Sequence, residues 1–124
     1  MKTRKPIVVA LLLAPLVAIT GCTEVPKSKQ TLKKHTITYK VSHSMAGEPL
    51  EIEYGYETKK GKQYKYESGT SAHTWHKKRK TKKQRITYVR MDVTSNDIDD
   101  RVTCEIVFDG KTLVRKSDTY FVSC

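Results

Sequence analysis

The chain has no apolar run long enough to cross a bilayer. A spanning helix needs about 20 apolar residues, whereas "IVVALLLAPLVAI", Ile7 to Ile19, stops at thirteen and is interrupted by Pro15. A permanent transmembrane anchor is therefore not expected. Outside this run no segment keeps a helical period, so a helical domain is not expected either. Catalytic signatures are missing as well: there is no Ser-His-Asp grouping in a recognisable context, no Gly-rich phosphate loop and no pair of carboxylates set among apolar residues. Neither an enzyme nor a cofactor is expected. Asp97, Asp99 and Asp100 in "NDIDD" lack the glycine and the closing glutamate of a calcium loop. His73 and His76 in "HTWH" are three apart, point to opposite faces of an extended strand and converge poorly on a metal ion.

Acidic residues are absent before Cys22: all thirteen follow it, while Lys2, Arg4 and Lys5 precede it. A basic start and a short apolar core have the layout of an export signal. The run Ile19-Thr20-Gly21-Cys22 then resembles a bacterial lipobox, an aliphatic and two small residues ahead of a cysteine. Cleavage there leaves Cys22 as the first mature residue, acylated on its sulfur and amine; the alternative is an ordinary signal peptide in which Cys22 is incidental. Each buried acyl methylene is worth about 0.8 kcal/mol, and two or more chains hold a soluble domain at a membrane. Residues 1–21 are thus read as a lipoprotein signal peptide. Residues 22–34, polar and without period, read as a flexible tether, and 35–124 as one domain. The expected location is the extracytoplasmic face of the cell membrane.

Beyond the tether the pattern is alternation. Ile37, Tyr39 and Val41 share one face of "HTITYKVS", and Leu50, Ile52, Tyr54 and Tyr56 share one face of "LEIEYGYE". Gly47 and Pro49 mark a turn between them, and Gly61 marks a hairpin tip before "QYKYE". "ITYVRMDV", "RVTCEIVF", "KTLVRK" and "TYFVSC" continue the series, with Asp109-Gly110 as a strong hairpin signal. About six or seven short strands predict an all-β antiparallel sandwich. Tyr54, Tyr56, Tyr64 and Tyr66 form a tyrosine-rich hairpin, a binding face or ordinary cross-strand packing. Trp75 is either a stacking platform or a core aromatic. In an exported chain Cys104 and Cys124 are candidates for a disulfide worth roughly 3 kcal/mol for a loop of about 20 residues. Two buried thiols are the alternative.

Because all the acids and all but three of the 24 basic residues follow the lipobox, a chain starting at Cys22 carries +8. Most of that excess is local. "HKKRKTKKQR", His76 to Arg85, holds Lys77, Lys78, Arg79, Lys80, Lys82, Lys83 and Arg85 with no acid. As an edge hairpin this run either blunts an exposed sheet edge or attracts anionic lipids or wall polymers, at about 1 kcal/mol per basic residue near a charged membrane. Nucleic acid is a poor partner for an exported protein.

From Tyr39 to Cys124 the chain resembles the exported domain of the MmpS family, small mycobacterial-type membrane proteins that act as accessories of large lipid and siderophore exporters. The features that carry the resemblance are "TYKVS", "IEY", a lone Trp75 after a small-residue loop, "TCEIVFDGK" and a last cysteine about 20 residues on. The resemblance implies an immunoglobulin-like sandwich with Cys104 and Cys124 bridged, and a large exporter subunit as partner. The chain departs from the family in its lipobox, where a transmembrane helix is usual, in His43, where a glycine often stands, and in the weight of its basic run.

Overall fold

A computed structural model describes residues 22–26, 32–70 and 72–124; the expected signal peptide, 1–21, and residues 27–31 of the expected tether lie outside them. The described chain forms nine strands: β1 (Thr23–Glu24), β2 (Thr36–His43), β3 (Leu50–Thr58), β4 (Gly61–Thr70), β5 (Thr74–Lys80), β6 (Tyr88–Ser95), β7 (Arg101–Phe108), β8 (Lys111–Thr119) and β9 (Phe121–Ser123). They build two antiparallel sheets. Sheet A runs β1-β6-β3-β4, with β9 also on β6, and sheet B runs β5-β2-β7-β8. The expected all-β sandwich is therefore present, with more strands than the six or seven expected.

Alternation decides what lies between the sheets. Ile37, Tyr39 and Val41 of β2, Ile52 and Tyr54 of β3, Val89, Met91 and Val93 of β6, and Val102, Cys104 and Ile106 of β7 are all buried and form one core. Burial of a large apolar side chain is worth roughly 1.5–3 kcal/mol, and the inward halves of four central strands supply most of it here. The Cys104–Cys124 disulfide crosses this core, joining β7 of sheet B to the residue after β9 of sheet A, with the two Cα atoms 6.2 Å apart. Asp109 and Gly110, both with positive φ (49° and 86°), close the β7–β8 hairpin as the Asp-Gly signal predicts.

The tether differs from expectation at its start. Thr23 and Glu24 pair with Val89 and Tyr88 of β6, and Val25 is buried in the core, its N–H donating to the Thr87 carbonyl at 3.0 Å. A single apolar residue in a polar stretch shows no period, yet Val25 fills the sandwich beside β6, and β1 covers backbone that β6 would otherwise leave unpaired there.

The tyrosine-rich hairpin is split by its pleat. Tyr54 and Tyr56 face the core, while Tyr64 and Tyr66 lie on the opposite face, across from Gly55 and Glu53. Gly55 is required by Tyr64: a Cβ there would lie 2.2 Å from the ring's Cδ1 and from the Gln63 carbonyl oxygen. The ring covers the glycine backbone and donates its hydroxyl to Glu57, and the Arg90 guanidinium sits 6.0 Å from its centroid.

Replacing both Cys104 and Cys124 by Ala should lower the unfolding free energy by about 2–5 kcal/mol, read as a shift in urea midpoint. Two alkylatable thiols at these positions in the unreduced native protein would contradict the bridge.

Candidate functional site

The basic run is not one patch. Only Thr74–Lys80 is a strand, β5, a single edge strand of sheet B paired with β2; Lys82, Lys83 and Arg85 follow it in the exposed crossing to β6. The expected edge hairpin is corrected here, because Thr81 is buried, donates its N–H to the His35 carbonyl (2.9 Å) and accepts the His35 N–H (3.0 Å). That knot turns the chain away from sheet B before a second strand can form.

Along β5 the two-residue period sorts the side chains. Trp75, Lys77 and Arg79 stand opposite Val41, Tyr39 and Ile37, on the inner side of the sheet. They meet edge strand β4 of the other sheet. Glu67 is the hub: it accepts the Tyr54 hydroxyl at 2.9 Å and the Trp75 indole N–H at 3.2 Å, and pairs with Lys77 Nζ at 3.3 Å. Burial pushes the Glu67 carboxyl up, but the bonds from Tyr54, Lys77 and Trp75 outweigh it and hold the group below its ordinary value. Arg79 donates to the Gln63 carbonyl at 3.0 Å and lies over the Tyr56 ring at 5.0 Å. Trp75 packs against Tyr54, centroids 5.2 Å apart, so it belongs to the sandwich rim between β4 and β5.

The outward set has a different fate. His76, Lys78 and Lys80 stand opposite Lys40, Thr38 and Thr36, on the outer face of sheet B. Lys40 is in register with Glu105 of β7, which is in register with Arg115 of β8; Ser42 is in register with Thr103, and Arg101 lies on the same side. The resulting face carries Lys40, Lys78, Lys80, Arg101, Arg115 and His76, all exposed, against the single acid Glu105. Glu105 itself accepts the Thr112 hydroxyl at 2.8 Å. At the centre of this face a shallow depression of about 240 Å³ is lined by Lys40, His76, Arg115, Ser42, Thr74 and Thr103 among others. Glu105 lines the depression too, in register between Lys40 and Arg115, so cations and hydroxyls surround a single carboxylate there. The outer face of sheet A is opposite in character: Glu51, Glu53, Glu57 and Asp92 accompany Lys62 and Arg90 there.

Lys40, Arg101 and Arg115 escape a reading of the sequence because they lie in three different strands, and only cross-strand register brings them together. Lys77 and Arg79, included in the candidate run, are held at the rim instead. His73 and His76 do not converge: His73 stands edge-on to His43 at 6.1 Å, while His76 is on the outer face.

Two histidines fix the ends of β2. His43 Nδ1 lies 2.8 Å from Asp100 Oδ2 and Nε2 lies 2.7 Å from the Ala72 carbonyl, so the ring bridges the two. Asp100 also accepts the Ser44 N–H and hydroxyl, the Met45 N–H and the Ser95 hydroxyl, and is fully buried. At the other end, His35 Nδ1 lies 2.6 Å from Asp109 Oδ2, whose partner oxygen accepts the Thr36 N–H at 2.8 Å. Burial raises both carboxyls; hydrogen bonds from Ser95, His43 and Met45 to Asp100, and from Thr36 and His35 to Asp109, outweigh it and leave both below the ordinary carboxylate value.

Compared with known proteins, the chain matches no family model, and no curated protein matches it.

Asp100→Asn should cost about 3–5 kcal/mol at neutral pH, since it strands a buried histidine. The sign with pH is set by the lowered carboxyl. The stabilisation is complete above the unfolded value of about 3.9 and is lost as pH falls through the folded value. The gap between parent and Asp100→Asn in urea midpoints should therefore narrow in acid; a gap that stays constant down to the acid limit would contradict an ionised Asp100.

Proposed function

We propose that the protein is a lipid-anchored, extracytoplasmic binding module that uses the outer face of sheet B to hold a phosphodiester-bearing envelope component. The observation that carries this reading is the convergence of Lys40, Lys78, Lys80, Arg101 and Arg115 from four strands onto one face around a hydroxyl-lined depression. Like charges assembled on a rigid face repel, and a bound anion offsets that repulsion. The disulfide and the export-like start support an extracytoplasmic location. The lipobox-like run before Cys22 supports the anchor.

The phosphodiester can come from anionic lipid or from a wall polymer, and two binding assays separate the sources: vesicles with and without phosphatidylglycerol, and soluble poly(glycerol phosphate). The variant with Lys40, Lys78, Lys80 and Arg115 all changed to Gln should fold as the parent does and lose at least about tenfold in affinity for the true source, the equivalent of roughly 1.4 kcal/mol. Parent binding should also weaken as salt rises. A folded quadruple variant that binds both probes as well as the parent at equal ionic strength would sink the proposal. The anchor has its own check: Cys22→Ala should appear in the soluble fraction or remain an unprocessed precursor. An accessory role beside an exporter, implied by the MmpS resemblance, uses the same frame and predicts recovery with a large polytopic membrane protein after crosslinking in native membranes.

A further inference from the structure

We infer that the outer face of sheet A carries a second binding groove, which takes an uncharged saccharide between Tyr120, Glu51 and Asn96. It lies on the other sheet from the cationic depression and depends neither on that site nor on an anchor at Cys22. The groove, of about 280 Å³, is lined by Pro49, Glu51, Ser68, Thr94, Asn96 and Tyr120 among others. Sites for drug-sized ligands start at roughly 300 Å³, so this volume suits one unit of a chain that runs on past it.

Two breaks in strand regularity form the groove. Between β3 and β4 the register slips from Leu50, opposite Thr70, to Glu51, opposite Ser68, which leaves Gly69 as the extra residue with a φ of 83°. Such a bulge bends its strand and re-aims the side chains beside it, and Gly69 is part of the groove wall. On the other side Tyr120 separates β8 from β9 with a left-handed φ of 74°. Its N–H donates to the Asp100 carbonyl at 2.7 Å and its carbonyl accepts the Ser95 N–H at 2.8 Å, so this backbone is fixed from both sides. Gly or Asn adopts the conformation at little cost, and a bulky residue is strained by it. Backbone strain of this kind gathers at ligand sites, and Tyr120, 44% exposed, stands in the groove.

The lining selects a ligand class by what it can bond. The hydroxyls of Ser68, Thr94 and Tyr120 and the carboxamide of Asn96 each donate and accept, while Glu51 accepts. That set matches groups that do both at once, as the hydroxyls of a sugar do. Among the described residues no Lys, Arg or His lines the groove, and Glu53 stands one pleat repeat from Glu51 on the same face, so an anion is repelled. A sugar ring also has an apolar side, which packs on aromatic surface. Beside the Tyr120 ring, Phe121 is exposed in register with Thr94, and Tyr66 is exposed with its hydroxyl bonded to Glu51. The Tyr66 bond holds the Glu51 carboxylate at the wall and leaves its other lone pairs for a ligand.

The full chain, held in a detergent without a sugar headgroup, is titrated by NMR with chitotetraose, cellotetraose and mannotetraose, and with the glucosamine tetramer as a cationic probe. At least one of the neutral sugars should bind and shift the Thr94 and Asn96 amide resonances. Tyr120→Asn relieves the left-handed strain, so it should keep or raise the melting temperature while weakening that binding at least about tenfold. Asn96→Ala, at an exposed position, should weaken it as well, whereas Lys40→Gln on sheet B should leave it unchanged. No response to any neutral sugar, or binding that a folded Tyr120→Asn protein keeps in full, would overturn the inference. Binding of the glucosamine tetramer alone would overturn it too, because Glu51 would then be a contact for a cation.

Discussion

The Cys104–Cys124 bond is the covalent tie between the two sheets, and the arrangement of the chain's ends depends on it. β9 has only three residues, too few to hold itself on β6 by ladder bonds alone. The bridge pins its end to β7 across the core, and the Cys124 N–H then donates to the Met91 carbonyl at 2.8 Å. With the C-terminus fixed there, β1 lies alongside the remaining length of β6, and the two short strands together complete one edge of sheet A. One crosslink thus fixes the end of β9, beside which β1 enters the sheet.

The pleat imposes the second constraint. The period that hides Ile37, Tyr39 and Val41 also divides the basic strand beside them, and the two halves do different work. Lys77 and Arg79 turn inward at the open rim, where Glu67, Tyr56 and the Gln63 carbonyl hold them. Inward-pointing charge at a sheet edge hinders pairing with another chain, so edge protection is a property of this half. Lys78 and Lys80 are directed to the outer face among the other cations. Protection and anion attraction are therefore not rival explanations of the run.

What the sequence made legible was whatever depends on neighbours along the chain. Alternation located β2, β3, β6 and β7, and the Asp-Gly pair marked the last hairpin turn. The residues that escaped depend on strand register. Val25 is one apolar residue among polar ones, and its burial follows from an unpaired length of β6. His43 stood out only as a departure from the resembling family, and Asp100 only as part of a poor calcium loop; they meet because the ends of β2 and β6 share one end of the sandwich. Lys40 and Arg101 each belong to a strand with little net charge, and Arg115, on the more basic β8, meets them only through strand register.

The histidine clamps connect these two levels. Lysine and arginine side chains on a sheet attract anions over a Debye length of about 8–10 Å, which steers a partner but selects weakly. Selectivity needs fixed groups, and the depression supplies hydroxyls of Ser42, Thr74 and Thr103 whose positions follow the backbone of β2, β5 and β7. His43–Asp100 fixes the end of β2 immediately after Ser42, and the His43 bond to the Ala72 carbonyl fixes the approach to Thr74. Asp109 fixes the far end of β2 through His35 and Thr36. The polar core of the molecule thus holds the floor of the depression in place beneath the long cations that surround it.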